Sequence, residues 1–85
     1  MRSQSDVEIR ERLTEIFRAI LKSDKIEILD TSAQGVLRGW DSINNIKIIL
    51  AIEKRFGLEF NMNEALRMKT FGDIVQILKG KLTAQ

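Results

Sequence analysis

Eighty-five residues make one domain at most, since a chain this short cannot divide into two cores. The sequence holds no cysteine, which excludes disulfides, a thiolate zinc site and a cysteine nucleophile, and no histidine, which removes the commonest general base and metal ligand. Fourteen Lys and Arg stand against 12 Asp and Glu for a net charge of +2, but the signs are interspersed and five aromatics (four Phe, one Trp) are few to stack on bases, so no nucleic-acid partner is expected.

The first predicted helix covers about 6–22. Ser5 and Glu8 fit the Ser-x-x-Glu capping box, and Ile9, Leu13, Ile16, Phe17, Ile20 and Leu21 recur at spacings of three and four to form one apolar stripe. A long connection follows, about 23–40, carrying Ile26, Ile28, Leu29, Val36 and Leu37 among polar residues. Connections of this length are unusual in a compact domain and often functional, and the apolar residues predict that this one packs on the helices.

The second helix covers about 41–56. Asp41 or Ser42 caps it, Lys54 and Arg55 occupy its last turn, and Gly57 fits the C′ position. A short third helix is predicted over 63–67. The fourth covers 70–79, with Thr70 and Asp73 as a variant capping box and an end near Leu78 or Lys79, before Gly80. Trp40 is expected as a packing anchor, Phe17, Phe56 and Phe71 as core, and Met62 and Met68 as gap fillers.

The second helix has more apolar surface than one core contact needs. At about 100° per residue, Ile46, Ile48, Ile49, Ile52 and Phe56 are assigned to the core face, while Ile43, Lys47, Leu50 and Lys54 form a second stripe. Two readings stand: the stripe docks a partner, or the long connection covers it.

Ser42 opens this helix, where backbone N–H groups are unpaired and the macrodipole is positive, so an anion attached to its hydroxyl would be stabilised. Asp-Ser before an apolar run is also a common plain N-cap. The wider pattern is more specific. Asp41-Ser42-Ile43 is followed by an aliphatic helix, then by Ile52-Glu53-Lys54-Arg55-Phe56-Gly57-Leu58-Glu59-Phe60, then by Lys69-Thr70-Phe71-Gly72-Asp73-Ile74. This closely resembles the acyl carrier protein family over about 40–78, in register.

The resemblance implies an all-α fold, a four-helix bundle of acyl-carrier type with a long first loop and a short third helix, in a single carrier domain over 1–85. It implies that Ser42 receives 4′-phosphopantetheine from coenzyme A through a phosphopantetheinyl transferase. It also implies that Asp41 helps the transferase and its Mg²⁺ engage, and that the carried group rides as a thioester on the cofactor's terminal thiol. The second helix matches the family's recognition helix, which places Ile43, Asn44, Lys47, Leu50 and Lys54 in partner binding. Chemistry then belongs to acyl-loading and acyl-processing partner enzymes, with no catalytic residue and no metal site on this chain. An aminoacyl or peptidyl carrier of the same fold is the nearest alternative, and an unmodified helical interaction module the next. A hydrolase or transferase using Ser42 as its own nucleophile lacks a histidine.

One departure stands out. The family's recognition helix is usually acidic, whereas residues 41–56 carry Lys47, Lys54 and Arg55 against Asp41 and Glu53, a net of +1. Enzymes that select for negative charge should bind it poorly, which predicts a specialised, discrete carrier serving a dedicated lipid, polyketide or other biosynthetic pathway. No apolar run reaches the roughly 18–20 residues that span a bilayer, and the first residues form no signal-peptide core, so a cytoplasmic protein without a membrane is expected, and with the carrier resemblance a monomer.

Overall fold

The computed structural model describes residues 6–23 and 25–83. Their α-helices are α1 (Asp6–Leu21), α2 (Ser42–Phe56), α3 (Met62–Arg67) and α4 (Phe71–Thr83), and these residues form no strand beyond an isolated bridge between Ala33 and Thr70. The Ser5 side of the predicted capping box lies outside the described residues. None of these helices is long and apolar enough to cross a membrane.

The stripe of α1 is the centre of the core. Ile9, Leu13, Ile16 and Phe17 are buried against Ile48 and Ile52 of α2 and Phe71, Ile74, Val75 and Leu78 of α4. Trp40 completes the core from the connection: its ring meets Phe17 edge-on at 4.8 Å, and Phe17 meets Phe71 edge-on at 5.3 Å. Such aromatic pairs add about 0.5–1.5 kcal/mol beyond the area they bury. The anchoring role predicted for Trp40 holds, and it pins the last residues before α2 to the core.

The rest of the connection is fastened to α4. Ser32 O accepts from Phe71 N and Asp30 O from Gly72 N, both at 2.9 Å. The approach explains Gly72: a Cβ there would sit 3.1 Å from Asp30 O. The Arg10 guanidinium closes the same corner on Asp30, with Nη2 3.2 Å from Oδ2, while its Nε donates to Asp6 Oδ2 at 2.8 Å. Of the apolar residues expected to pack, Ile28 and Leu37 lie against the core, whereas Leu29 and Val36 are exposed. The connection packs through some of its apolar residues and not through all of them.

Two boundaries and one face assignment differ from expectation. α3 begins at Met62, capped by Asn61 and Glu64, whose side chains each bond the other's backbone N–H in a full capping box. α4 runs through Gly80 to Thr83, because a glycine interior to a helix costs only about 1 kcal/mol and Leu82 still packs on the core. Ile46, assigned to the core face, is 59% exposed. On the wheel it lies about 60° from Ile43 and about 120° from Ile52, so it belongs to the outer stripe. Met68 fills the core as expected, but Met62 is exposed at the start of α3.

Candidate functional site

The entry to α2 is built from a cap, an anchor and two asparagines. Asp41 is the N-cap: it is extended, and its Oδ1 accepts from Asn44 N at 2.8 Å. Its carbonyl accepts the first helical bond, from Asn45 N at 2.8 Å. Behind it, Trp40 Nε1 donates to Asn45 Oδ1 at 2.8 Å, and Asn44 Nδ2 donates to Gly39 O at 2.6 Å. The helix start is thus tied to the two residues before the cap by both side chains, and through Trp40 to the core.

Ser42 is the first residue of this helix and is exposed. Its Oγ accepts from Gln34 Nε2 at 3.2 Å. With Asp41 capping, the choice left open between Asp41 and Ser42 falls to Asp41, and the serine hydroxyl is released from capping. No base among the described residues lies within hydrogen-bond reach of that hydroxyl: its recorded partner is an amide donor, which cannot take a proton. The first turn of α2 holds no acid, and Asn44 N is occupied by Asp41, so the amides of Ser42 and Ile43 face the entry of the helix at its positive end. A phosphodiester on Oγ fits this surface: it meets open donors, the favourable end of the dipole and free solvent for the chain beyond it.

Behind Ser42 the outer stripe of α2 is uncovered. Ile43 and Leu50 are 67% and 58% exposed, and Lys47 and Lys54 are exposed beside them. Of the two readings of this stripe, coverage by the long connection is therefore ruled out. Asn44 sits apart from the other four expected partner residues, half-buried with its amide held by Gly39.

The family described as a phosphopantetheine attachment site matches residues 11–78. The chain belongs to that family. Its cofactor is 4′-phosphopantetheine, as the resemblance implied. The chain is 27% identical over 77 residues to an acyl carrier protein of Thermosynechococcus vestitus, covering 91% of this chain and 95% of that one. It is 29% identical over 73 residues to an acyl carrier protein of Rickettsia canadensis, covering 84% of this chain and 83% of that one. The solution structure of the holo acyl carrier protein of Geobacter metallireducens superposes with a TM-score of 0.78 at 25% identity, over 89% of this chain and 86% of that one. The four-helix carrier fold is therefore the fold of this chain.

Sequence reasoning missed two features of the site. Ile46 extends the outer stripe, which the wheel could have shown. Gln34 reaches Ser42 from eight residues upstream through the shape of the connection, for which the sequence holds no periodic signal.

Proposed function

We propose that this chain is a discrete acyl carrier protein, one carrier domain that is modified at Ser42 and delivers acyl intermediates to enzymes of a specialised biosynthetic pathway. The observation that carries the reading is the Ser42 hydroxyl, exposed at the first residue of α2 and free of capping duty. When bound, 4′-phosphopantetheine supplies the terminal thiol on which an acyl group is held as a thioester, a function the chain's own residues cannot supply because it has no cysteine.

Each residue of the entry has a part. Trp40 and Asn45 hold the first turn to the core, so a transferase meets the serine in one position. Asp41 caps the helix through Oδ1 alone and is exposed, which supports a role for its other carboxylate oxygen in engaging the transferase and its Mg²⁺. Ser42 Oγ presents a lone pair outward while its proton is left to a base on the transferase. The chain supplies no such base and is a substrate of enzymes, not one itself. A cytoplasmic monomer suits a carrier that must visit several enzymes in turn.

Ile43, Ile46, Lys47, Leu50 and Lys54 form the docking face for those enzymes, with Asn44 shaping the turn from which it starts. The face pairs an aliphatic centre with two lysines, so it fits partners with an apolar groove and an acidic rim. Replacing Lys47 and Lys54 by Glu should leave modification of Ser42 possible and lower kcat/KM for acyl loading by the native partner on the order of tenfold, with the wild-type advantage shrinking as salt is raised. Unchanged loading would remove the docking role from this face.

The experiment for the attachment itself is incubation with coenzyme A, Mg²⁺ and a broad-specificity phosphopantetheinyl transferase, read by intact mass. Wild type should gain one phosphopantetheine and Ser42→Ala none. Failure of wild type to gain it with several transferases would leave an unmodified interaction module.

A further inference from the structure

Among the described residues, Gln34 is the side chain brought into hydrogen-bond contact with the Ser42 hydroxyl, with Nε2 donating to Oγ at 3.2 Å. The backbone around Gln34 is fixed on both sides. Upstream, Ala33 pairs with Thr70, and Ser32 O accepts from Phe71 N, which fastens the segment to the start of α4. Downstream, Gly35 N donates to Trp40 O at 2.8 Å, while Val36 N and Leu37 N both donate to Ala33 O, at 3.0 and 2.9 Å. The segment is a tight fold held between α4 and the buried Trp40, with the Gln34 side chain projecting from it over the helix entry. A side chain mounted on a fixed backbone gives up less freedom when it makes a contact than one on a loose loop.

Resting on the reading of Ser42 as the attachment residue, we infer that Gln34 is a positioning residue for the root of the arm: its carboxamide holds the free hydroxyl before modification and donates to a phosphodiester oxygen afterwards. In the unmodified chain the amide occupies one lone pair of Oγ, which turns the hydroxyl hydrogen away from Gln34. Once Oγ is esterified it is a weak acceptor, whereas the non-bridging oxygens beside it share a negative charge and accept more strongly. Held on the phosphorus that Oγ would carry, those oxygens would come near the same carboxamide, and Asp41 would not compete for them, because it is an acceptor and its Oδ1 is bonded to Asn44 N. Gln34 thereby adds a side-chain donor to the open amides of Ser42 and Ile43. A neutral carboxamide also keeps this contact independent of pH.

The test uses the full chain as apo and holo protein, with Gln34→Leu and Gln34→Glu beside wild type. In wild type the side-chain amide resonances of Gln34 should shift between apo and holo forms, and in apo Ser42→Ala they should move from their wild-type position. The phosphorus resonance of holo Gln34→Leu should differ from that of wild type, and its modification kcat/KM should fall about threefold, the size of one exposed hydrogen bond. In Gln34→Glu the introduced carboxylate should titrate at higher pH in the holo than in the apo form, because the phosphodiester charge lies beside it. A residue-34 side chain turned away from the arm would leave that titration unmoved, and the phosphorus resonance of Gln34→Leu separates a direct contact from proximity alone. The inference is overturned if the Gln34 amide signals coincide in apo and holo wild type and the introduced carboxylate titrates alike in both forms. Modification of Ser42→Ala would overturn instead the reading on which it rests, and the inference with it.

Discussion

On the inner face of α2, Ile48 and Ile52 are sealed from solvent; around the same helix, Ile43 and Ile46 remain 67% and 59% exposed. The residue type is identical and the environments are opposite. Full burial of an isoleucine stabilises a fold by about 1.5–3 kcal/mol, so the inner pair supports the domain. The outer pair, with Leu50, contributes little of this while exposing apolar area to water. Their position behind Ser42, on the same helix and flanked by Lys47 and Lys54, gives a reason for their presence that stability does not.

The sharpest way to break this comparison is to truncate one residue from each face. Ile52→Ala should lower the unfolding free energy by about 2–5 kcal/mol, the range for a fully buried aliphatic. Leu50→Ala should change it by no more than about 0.5 kcal/mol, because it loses little buried area and gains helix propensity. Denaturant titration of both variants decides it, and equal losses would mean that the outer stripe is core after all.

Gly57 offers a second and smaller contrast. It ends α2 in the left-handed conformation, with φ 68°, and nothing lies within 4 Å of where a Cβ would project. Gly57→Ala should therefore cost about 1–2 kcal/mol of conformational energy and nothing in packing. A loss in the range expected of Ile52→Ala would show that the helix end is packed more tightly than its geometry implies.

Acid should affect the molecule less than either, through the exposed carboxylates. The guanidinium of Arg10 holds the Asp30 and Asp6 carboxyls below their usual range, and the Asn61 N–H, aided by the Lys81 ammonium, does so for Glu64. Folded values depressed in this way contribute stability that is complete above the ordinary values of 3.8 for Asp and 4.5 for Glu, and that is lost as pH falls through the folded ones. The denaturation midpoint should thus be flat near neutrality and decline below about pH 4, by a small amount because the groups are exposed. Arg10→Gln should flatten part of that decline, and a steeper loss in the variant would contradict the assignment.

Much of this could be read from the chain in advance where the signal was local. The cap of α2, the Gly57 stop and the Thr70–Asp73 capping box each join residues at most four apart. The last two form as the spacing indicates, with Thr70 Oγ1 accepting from Asp73 N at 3.0 Å and Asp73 Oδ2 from Thr70 N at 3.1 Å, while the spacing offered Asp41 and Ser42 alike for the first. The Asn61–Glu64 box is equally local, and it starts α3 at Met62, one residue before the start that the sequence pattern predicts. Ile46 was legible as well, because its angle on the wheel lies nearer Ile43 than Ile52, but its aliphatic character alone suggests the core. Gln34 was illegible for a different reason. Its contact with Ser42 depends on the path of the connection, and that path is set by bonds to α4, more than 30 residues downstream.

The central claim is that the hydroxyl of Ser42 carries the cofactor. The most direct measurement is tandem mass spectrometry of the proteolysed holo protein, which locates the added group on the chain. The account predicts one phosphopantetheine, on the peptide containing Trp40-Asp41-Ser42, with fragment ions placing it on Ser42. Its recovery on Ser23, Ser32 or any other residue would contradict the account.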